Sequence, residues 1–172
     1  MPKKKNPEKI IDSAKAMRML DRIAYQILEE NYDAKEIIIL GIANKGLLLA
    51  KLINKRLKKF GNIPTQLSWI KLNKTSPNDH DIELGDPNIK FRNKTIIIID
   101  DVGNTGRTIY YAMLPLAKDL PKKIQAAVLV DRMHKLFPIK ADFVGLHLST
   151  TFKEMVIVEF DENDKVEGAY LH

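Results

Sequence analysis

The sequence contains no cysteine, which excludes disulfide bonds and thiolate metal sites. It also has no apolar run near the roughly 20 residues needed to cross a membrane, and its first residues, Met1-Pro2-Lys3-Lys4-Lys5, lack the apolar segment of a signal peptide. No repeat or low-complexity tract divides the chain. At 172 residues it can form one well-packed core. We therefore expect one soluble domain over residues 1–172, located in the cytoplasm.

The chain carries an excess of basic residues. The formal net charge is +6 and the sequence pI is about 9.4, so the favoured partners are anions: nucleic acid or a phosphorylated substrate. The basic residues form several short clusters, and a solvated basic face is the commoner meaning of such clusters. The four histidines, at 80, 134, 147 and 172, show no metal-ligand spacing. Composition thus favours an anionic partner but does not distinguish nucleic acid from a phosphorylated substrate.

Hydrophobic periodicity predicts alternating helices and strands. Residues 7–31 are predicted to form a helix with Asn6 as its N-cap, and residues 47–60 a second helix that ends at Gly61. A third helix is predicted at 108–120. Strands are predicted at 36–42, 64–72, 96–99, 125–130, 141–148 and 155–160. This alternation is typical of an α/β fold with a central, mostly parallel sheet flanked by helices.

One strand ends in a pair of acids. The apolar run Ile96 to Ile99 has the β-branched composition of a strand covered on both faces. It stops at Asp100 and Asp101, which therefore lie at the carboxyl end of a buried strand. Open α/β sheets bind their ligands at that edge.

A glycine-containing turn follows the acids. Gly103 and Gly106 permit unusual backbone angles, and Thr105 and Thr108 stand where a helix is predicted to begin. Successive N–H groups that lead into a helix form an anion-binding turn. Carboxylates beside such a turn serve a different part of the same ligand, such as vicinal hydroxyls or a metal, and a sugar phosphate fits. The alternative, an ordinary strand–turn–helix, has no use for the two acids.

A second strand–turn–helix precedes this one. The strand at 36–42 runs into Gly41-Ile42-Ala43-Asn44-Lys45-Gly46 and then a helix. At the same sheet edge, its N–H groups and the Lys45 ammonium would meet a polyphosphate. Taken alone, the turn is equally well explained as a plain connection.

These motifs resemble a known family. The run Asp100-Asp101-Val102-Gly103-Asn104-Thr105-Gly106-Arg107-Thr108 resembles the phosphoribosyl-pyrophosphate (PRPP) fingerprint of type I phosphoribosyltransferases, and residues 129–145 resemble the following segment of the PyrR family, pyrimidine-operon regulators that are also uracil phosphoribosyltransferases. The resemblance implies the type I phosphoribosyltransferase fold, with a small hood at about 132–155 and a flexible lid loop at about 73–93. It also implies transfer of phosphoribosyl from PRPP to a nucleobase, most directly uracil, and a homodimer or higher homo-oligomer.

The same resemblance assigns roles to residues. It implies that Asp100 and Asp101 bind the ribose hydroxyls and, through PRPP, Mg²⁺, and that they act in catalysis together with Lys45. Arg132, Phe143 and Val144 are implied to bind the base, the Phe143 ring by stacking. The implied PRPP-binding set is Asn44, Lys45, Gly46, Asp100, Asp101, Val102, Gly103, Asn104, Thr105, Gly106, Arg107 and Thr108.

The sequence departs from the family in the two turns and in the lid. Asn44-Lys45 stands where the family usually has Thr-Arg. The Lys45 ammonium therefore replaces an arginine guanidinium, which can bind a phosphate through two parallel hydrogen bonds. Asn104 replaces a residue that is commonly aromatic there and that is a proton-transferring Asp in purine-salvage enzymes. The lid begins Leu72-Asn73-Lys74-Thr75 instead of Tyr-Arg-Asp-Asp. These differences favour uracil over hypoxanthine or guanine and also permit a catalytically silent PRPP sensor.

An RNA partner is the alternative function. Positions that contact RNA in the PyrR family carry Asp21, Tyr25 and Glu30 here, with Arg18 and Arg22 retained nearby. Carboxylates on such a surface oppose phosphate. The sequence therefore favours catalysis over a nucleotide-sensing RNA-binding regulator.

Overall fold

The fold is built on two sheets. The structure, a computed structural model, describes residues 6–73, 75–76, 82–151 and 153–172. In chain order its elements are β1 (Glu8–Asp12), α1 (Ser13–Glu30), β2 (Ile37–Ile42), α2 (Lys45–Phe60), β3 (Thr65–Lys71), β4 (Glu83–Leu84), β5 (Thr95–Gly103), α3 (Arg107–Ala117), β6 (Lys123–Asp131), β7 (Phe143–His147), β8 (Val156–Phe160) and β9 (Val166–Leu171). None of the described helices is long and apolar enough to span a membrane.

The larger sheet has the strand order β4-β3-β2-β5-β6-β7. All of its neighbouring strands pair in parallel except the short β4, which pairs antiparallel with β3. The predicted α/β class with a mostly parallel central sheet is therefore confirmed. Because the parallel strands share one direction, the carboxyl ends of β2, β5, β6 and β7 meet at the same edge.

Successive isoleucines of β5 point to opposite faces of this sheet, as strand geometry requires. Ile97 and Ile99 pack into the core on the side of α1 and α2. Ile96 and Ile98 pack into the core on the side of α3. All four are fully buried. The isoleucine run therefore fixes β5 in the centre of the molecule and brings the acids that follow to a defined place.

The smaller sheet, β1-β9-β8, is antiparallel and joins the two ends of the described chain. It corrects two predictions. The first helix begins at Ser13, not at residue 7, because Asp12 is its N-cap and accepts a hydrogen bond from the Lys15 amide at 2.7 Å. The separate small layer is made by residues 8–12 and 156–171, not by 132–155, since β7 belongs to the central sheet.

The predicted lid loop was too long. Ile89 and Phe91 are only 8% and 4% exposed and belong to the core beside α3. β4 extends the sheet, and the amides of Phe91 and Arg92 donate to the Asp119 carboxylate at 2.6 and 3.0 Å. Residues 82–93 are thus part of the packed fold. Residues 74 and 77–81 of the predicted lid, His80 among them, lie outside the described residues.

Candidate active site

A cavity of about 200 Å³ opens at the carboxyl end of β5. Its wall is formed by every residue from Asp100 to Ile109, together with Val156 from β8. The predicted fingerprint residues, Asp100 to Thr108, therefore lie around one space. The wall combines carboxylates, a backbone turn and a helix N-terminus.

The two acids of the cavity wall, Asp100 and Asp101, are both buried. Asp100 is 3% exposed and Asp101 is 8% exposed, so both have left bulk water. The Asp101 amide donates to the Asp100 carboxylate at 3.0 Å, which orients that side chain. Buried carboxylates are costly unless they gain partners. A ligand that brings hydroxyl donors or a cation into the cavity would stabilise both carboxylates further.

The turn after the acids has the backbone conformation that a glycine favours. Gly106 has φ of +82°, and a Cβ there would lie 3.0 Å from the Ile139 Cβ. α3 begins at the next residue, and the Thr105 hydroxyl accepts a hydrogen bond from the Arg107 amide at 3.3 Å. The first amides of a helix have no intrahelical partner. The turn therefore brings unpaired N–H groups and the positive end of a helix to the cavity.

The second strand–turn–helix unit contacts the first at β5. A Cβ at Gly46 would lie 2.6 Å from the Ile99 carbonyl oxygen and 3.1 Å from the Asp100 Cα. Only glycine allows this approach, so α2 begins directly against β5 beside Asp100. Asn44 is the exposed N-cap of α2, and the Ala43–Asn44 peptide bond is cis. Both strand–turn–helix units thus meet at one edge, as the sequence predicted.

Lys45 has a partner that the sequence did not predict. Its ammonium donates to the Val158 carbonyl of β8 at 2.6 Å. This contact links the second turn to the smaller sheet. The ammonium is held near the cavity but does not line it.

Phe143 and Val144 do not lie where a base-binding role requires. The Phe143 ring is 1% exposed and packs in the core beside α1 and α2. Val144 is 8% exposed and packs on the opposite face of the sheet. They pair with Ala127 and Val128, several residues before β6 ends. The prediction that the Phe143 ring stacks on a base is therefore wrong for this structure.

Arg132 does lie at the carboxyl edge of the central sheet, directly after β6. Its guanidinium donates to the Asn104 side-chain oxygen at 3.0 Å, to the Thr150 hydroxyl at 2.9 Å and to the Thr151 carbonyl at 3.1 Å. It therefore connects the fingerprint turn to the chain segment that leads into β8.

Val156 is the wall residue that sequence reasoning missed. It follows the fingerprint by about 50 residues and starts a strand of the other sheet, so no local pattern links it to the site. It is 9% exposed and, together with Val102, adds apolar surface to a largely polar wall. An apolar surface of this kind suits the face of a flat ring.

A divalent cation bound in this cavity would take most of its coordinating atoms from a phosphorylated ligand. Among the described residues, no group of three or more His, Cys, Asp or Glu side chains is arranged to hold a metal. Asp100 and Asp101 supply hard oxygen atoms, which Mg²⁺ prefers, and Mg²⁺ in such sites usually takes its other ligands from phosphates and water. The donor set fits Mg²⁺ bound together with a phosphorylated ligand.

The comparisons with known proteins agree with this geometry. Residues 8–163 match the family model described as "Phosphoribosyl transferase domain". The chain is 36% identical over 171 residues to the "Bifunctional protein pyrR" of Enterococcus faecalis, covering 95% of this chain and 93% of that protein. It is 37% identical over 174 residues to the "Bifunctional protein PyrR" of Ligilactobacillus salivarius, covering 95% and 97%.

Solved structures share the fold at low sequence identity. The hypoxanthine phosphoribosyltransferase of Trypanosoma cruzi superposes with a TM-score of 0.78 at 15% identity, covering 95% of both chains. A hypoxanthine-guanine phosphoribosyltransferase from Bacillus anthracis gives a TM-score of 0.71 at 15% identity, covering 87% of this chain and 85% of that chain. At this identity the likeness concerns the fold alone.

Proposed function

Because this chain belongs to the phosphoribosyl transferase domain family, within its PyrR group, we propose that it transfers the phosphoribosyl group of PRPP to uracil, giving UMP and pyrophosphate. One observation carries the proposal: the paired acids and the N–H-bearing turn, Asp100 to Thr108, line a single cavity. These two features suit the two ends of one sugar phosphate.

The residues would bind PRPP in two parts. Asp100 and Asp101 would accept hydrogen bonds from the ribose 2′ and 3′ hydroxyls, and the amides of residues 105–108 would donate to the 5′-phosphate. A ring nitrogen of the base then attacks C1′, the bond from C1′ to the pyrophosphate oxygen breaks with its electron pair on that oxygen, and the proton of the ring nitrogen passes to water. The protein acts by positioning and by electrostatic stabilisation, so no nucleophilic side chain is needed.

The leaving pyrophosphate would lie at the second turn. The amides of Asn44 and Gly46 lie at the start of α2. The Lys45 ammonium donates a hydrogen bond to the Val158 carbonyl of β8. On ligand binding, Lys45 would exchange that carbonyl for a phosphate oxygen. Bound Mg²⁺ would supply positive charge to the pyrophosphate and to the Asp100–Asp101 pair.

We place the base between the two valines of the cavity wall. Val102 and Val156 provide the apolar surface, while the Phe143 ring remains in the core. Arg132 stays a candidate for contact with the base edge, since it lies beside Asn104 at the same sheet edge.

Asn104 supports a pyrimidine substrate. Its side-chain oxygen accepts a hydrogen bond from Arg132 at 3.0 Å, and an amide cannot take up a proton as a carboxylate does. Purine-salvage enzymes carry a proton-transferring Asp at this position, so Asn104 disfavours hypoxanthine and guanine as substrates.

The test is a pyrophosphate-release assay with PRPP, Mg²⁺ and uracil, hypoxanthine or guanine. We expect turnover with uracil. Turnover with hypoxanthine or guanine alone would replace the assigned base. PRPP binding by calorimetry without turnover on any base would indicate a silent PRPP sensor, and the absence of PRPP binding would refute the proposal.

RNA binding is the second candidate, and the α1–α2 surface favours it more than the sequence did. The Asp21 carboxylate is paired with Arg56 at 2.6 Å, and Glu30 accepts a hydrogen bond from Gln125 at 2.8 Å. The Arg56 guanidinium therefore offsets the charge of Asp21, whereas the neutral Gln125 amide leaves Glu30 charged. Four lysines of α2 are exposed, Lys51, Lys55, Lys58 and Lys59, and two of them, Lys55 and Lys59, line one hollow with Asp21.

Salt-dependent binding to a structured RNA would test this candidate. The double change Lys55→Glu and Lys59→Glu should weaken binding and reduce its salt dependence. Lys90→Glu with Lys118→Glu is the matched control, because both lysines are exposed on the other face of the central sheet. Equal weakening by both pairs would indicate nonspecific attraction only.

We also propose that the protein self-associates as a homodimer or larger assembly. Leu114, Met133 and Leu136 are 44%, 59% and 75% exposed, and large apolar side chains of this kind are common at interfaces. Light scattering should show more than one subunit, and Leu136→Asp should lower the mass. A monomer at all concentrations would contradict this.

A further inference from the structure

Residues 132–137, named here the outer segment, bind three consecutive carbonyls of the fingerprint turn. The Gly103 carbonyl accepts from the Arg132 amide at 2.9 Å. The Thr105 carbonyl accepts from the amides of Leu136 and Phe137, both at 3.0 Å. The Asn104 carbonyl accepts from the Lys135 ammonium at 3.1 Å, and the same ammonium lies 3.4 Å from the Gly103 carbonyl.

This pattern determines where the amides of the turn point. In a trans peptide unit the C=O and the following N–H point in opposite directions. Carbonyls 103, 104 and 105 are turned toward the outer segment, so the amides of Asn104, Thr105 and Gly106 are turned away from it. Away from the outer segment lies the cavity that these residues line. The outer segment therefore holds the turn in the orientation that an anion requires.

Lys135 is the side chain through which this arrangement can be tested. Backbone donors survive every substitution except proline, whereas the Lys135 ammonium is lost when that side chain is replaced. The Lys135 side chain is 26% exposed, and its ammonium donates to the Asp131 carboxylate at 2.5 Å as well as to the carbonyls. Asp131 is 6% exposed and ends β6 next to Gly103. The lysine is thus anchored on a rigid strand and reaches two of the three carbonyls.

We propose that Lys135 is a positioning residue for PRPP: it does not contact the ligand but keeps the amides of the turn directed at the 5′-phosphate. This inference rests on the proposed function, because it requires that PRPP binds at this turn. It predicts an effect on the affinity for PRPP that is separable from the ion pair with Asp131.

The test compares wild type, Lys135→Met and the double variant Asp131→Asn with Lys135→Met. Lys135→Met should raise the KM for PRPP about 10-fold or more, the loss expected when a charge-assisted hydrogen bond no longer fixes the binding geometry. The kcat and the KM for the base should change little. The double variant also removes the buried Asp131 charge, which has lost its lysine partner although the Met133 amide and the His147 ring still lie 3.3 and 3.8 Å away. Its Tm should therefore recover toward wild type while its KM for PRPP stays raised.

The matched control is Lys122→Met. Lys122 forms a similar ion pair with Asp33, at 3.1 Å, at the amino edge of the same sheet, and its loss should leave the KM for PRPP unchanged. A normal KM for PRPP in Lys135→Met, or recovery of both KM and Tm in the double variant, would overturn the inference while leaving the proposed function intact. Failure of wild type to bind PRPP would refute the proposed function itself.

Discussion

Replacing Asp101 by asparagine separates ligand binding from folding at this site. The Asp101 carboxylate is 8% exposed, and among the described residues none donates a hydrogen bond to it. Asp100, the preceding residue of β5, lines the same cavity. Asparagine has nearly the same shape as aspartate but no charge. The change should therefore weaken PRPP binding and leave the fold intact.

The size of the effect follows from the hydrogen bonds involved. A hydrogen bond to a charged group contributes about 1.5 to 3 kcal/mol and a neutral one about 0.5 to 1.5 kcal/mol. The difference of about 1.4 kcal/mol for one ribose hydroxyl corresponds to about a 10-fold loss of PRPP affinity. For stability we expect no loss, so the Tm should stay close to that of wild type.

Calorimetric titration with PRPP and Mg²⁺, together with thermal unfolding followed by circular dichroism, measures both quantities. Ile98→Asp is the contrasting variant. Ile98 is fully buried in β5, and an unpaired charge there should unfold the protein. Unchanged PRPP affinity in Asp101→Asn, or a fall in its Tm comparable to that of Ile98→Asp, would refute the assigned roles.

Three further changes probe other parts of the account. Gly46→Ala places a Cβ 2.6 Å from the Ile99 carbonyl oxygen, so it should separate the two turns, lower Tm and weaken PRPP binding; titration and melting would show both. Val156→Ala removes apolar surface from the cavity wall. In steady-state kinetics it should raise the KM for the base several-fold and change the KM for PRPP less. The amides of Phe91 and Arg92 hold the pKa of Asp119 below its ordinary value. That contribution to stability is present above the ordinary pKa and is lost as pH falls through the lowered one, so Asp119→Asn should lower Tm at pH 7 and have little effect near pH 2.

The central strand and its following turn could be predicted because their signals are local. Four isoleucines need both sheet faces covered, and the acids and glycines come directly after them. The same holds for α2, whose end at Gly61 is a local feature. The meeting of the two turns also followed from the sequence, since parallel strands end at one edge.

The errors arose where pairing partners are distant in sequence. Ile10 and Ile11 fit a helical stripe, and only the antiparallel pairing of β1 with β9 turns them into a strand. The resemblance to the family assigned Phe143 to base binding. Its pairing with Ala127 instead places it several residues before the carboxyl edge of the sheet. Ile89 and Phe91 show no periodicity, yet both are buried beside α3. Val156 reaches the cavity only because the two sheets pack together.

The most direct test of the central claim is a crystal structure of the protein with PRPP and Mg²⁺. The account predicts the 5′-phosphate within hydrogen-bonding distance of the amides of residues 105–108 and the ribose hydroxyls on Asp100 and Asp101. A sugar phosphate bound elsewhere, or one bound in this cavity with its ribose facing away from both acids, would contradict it.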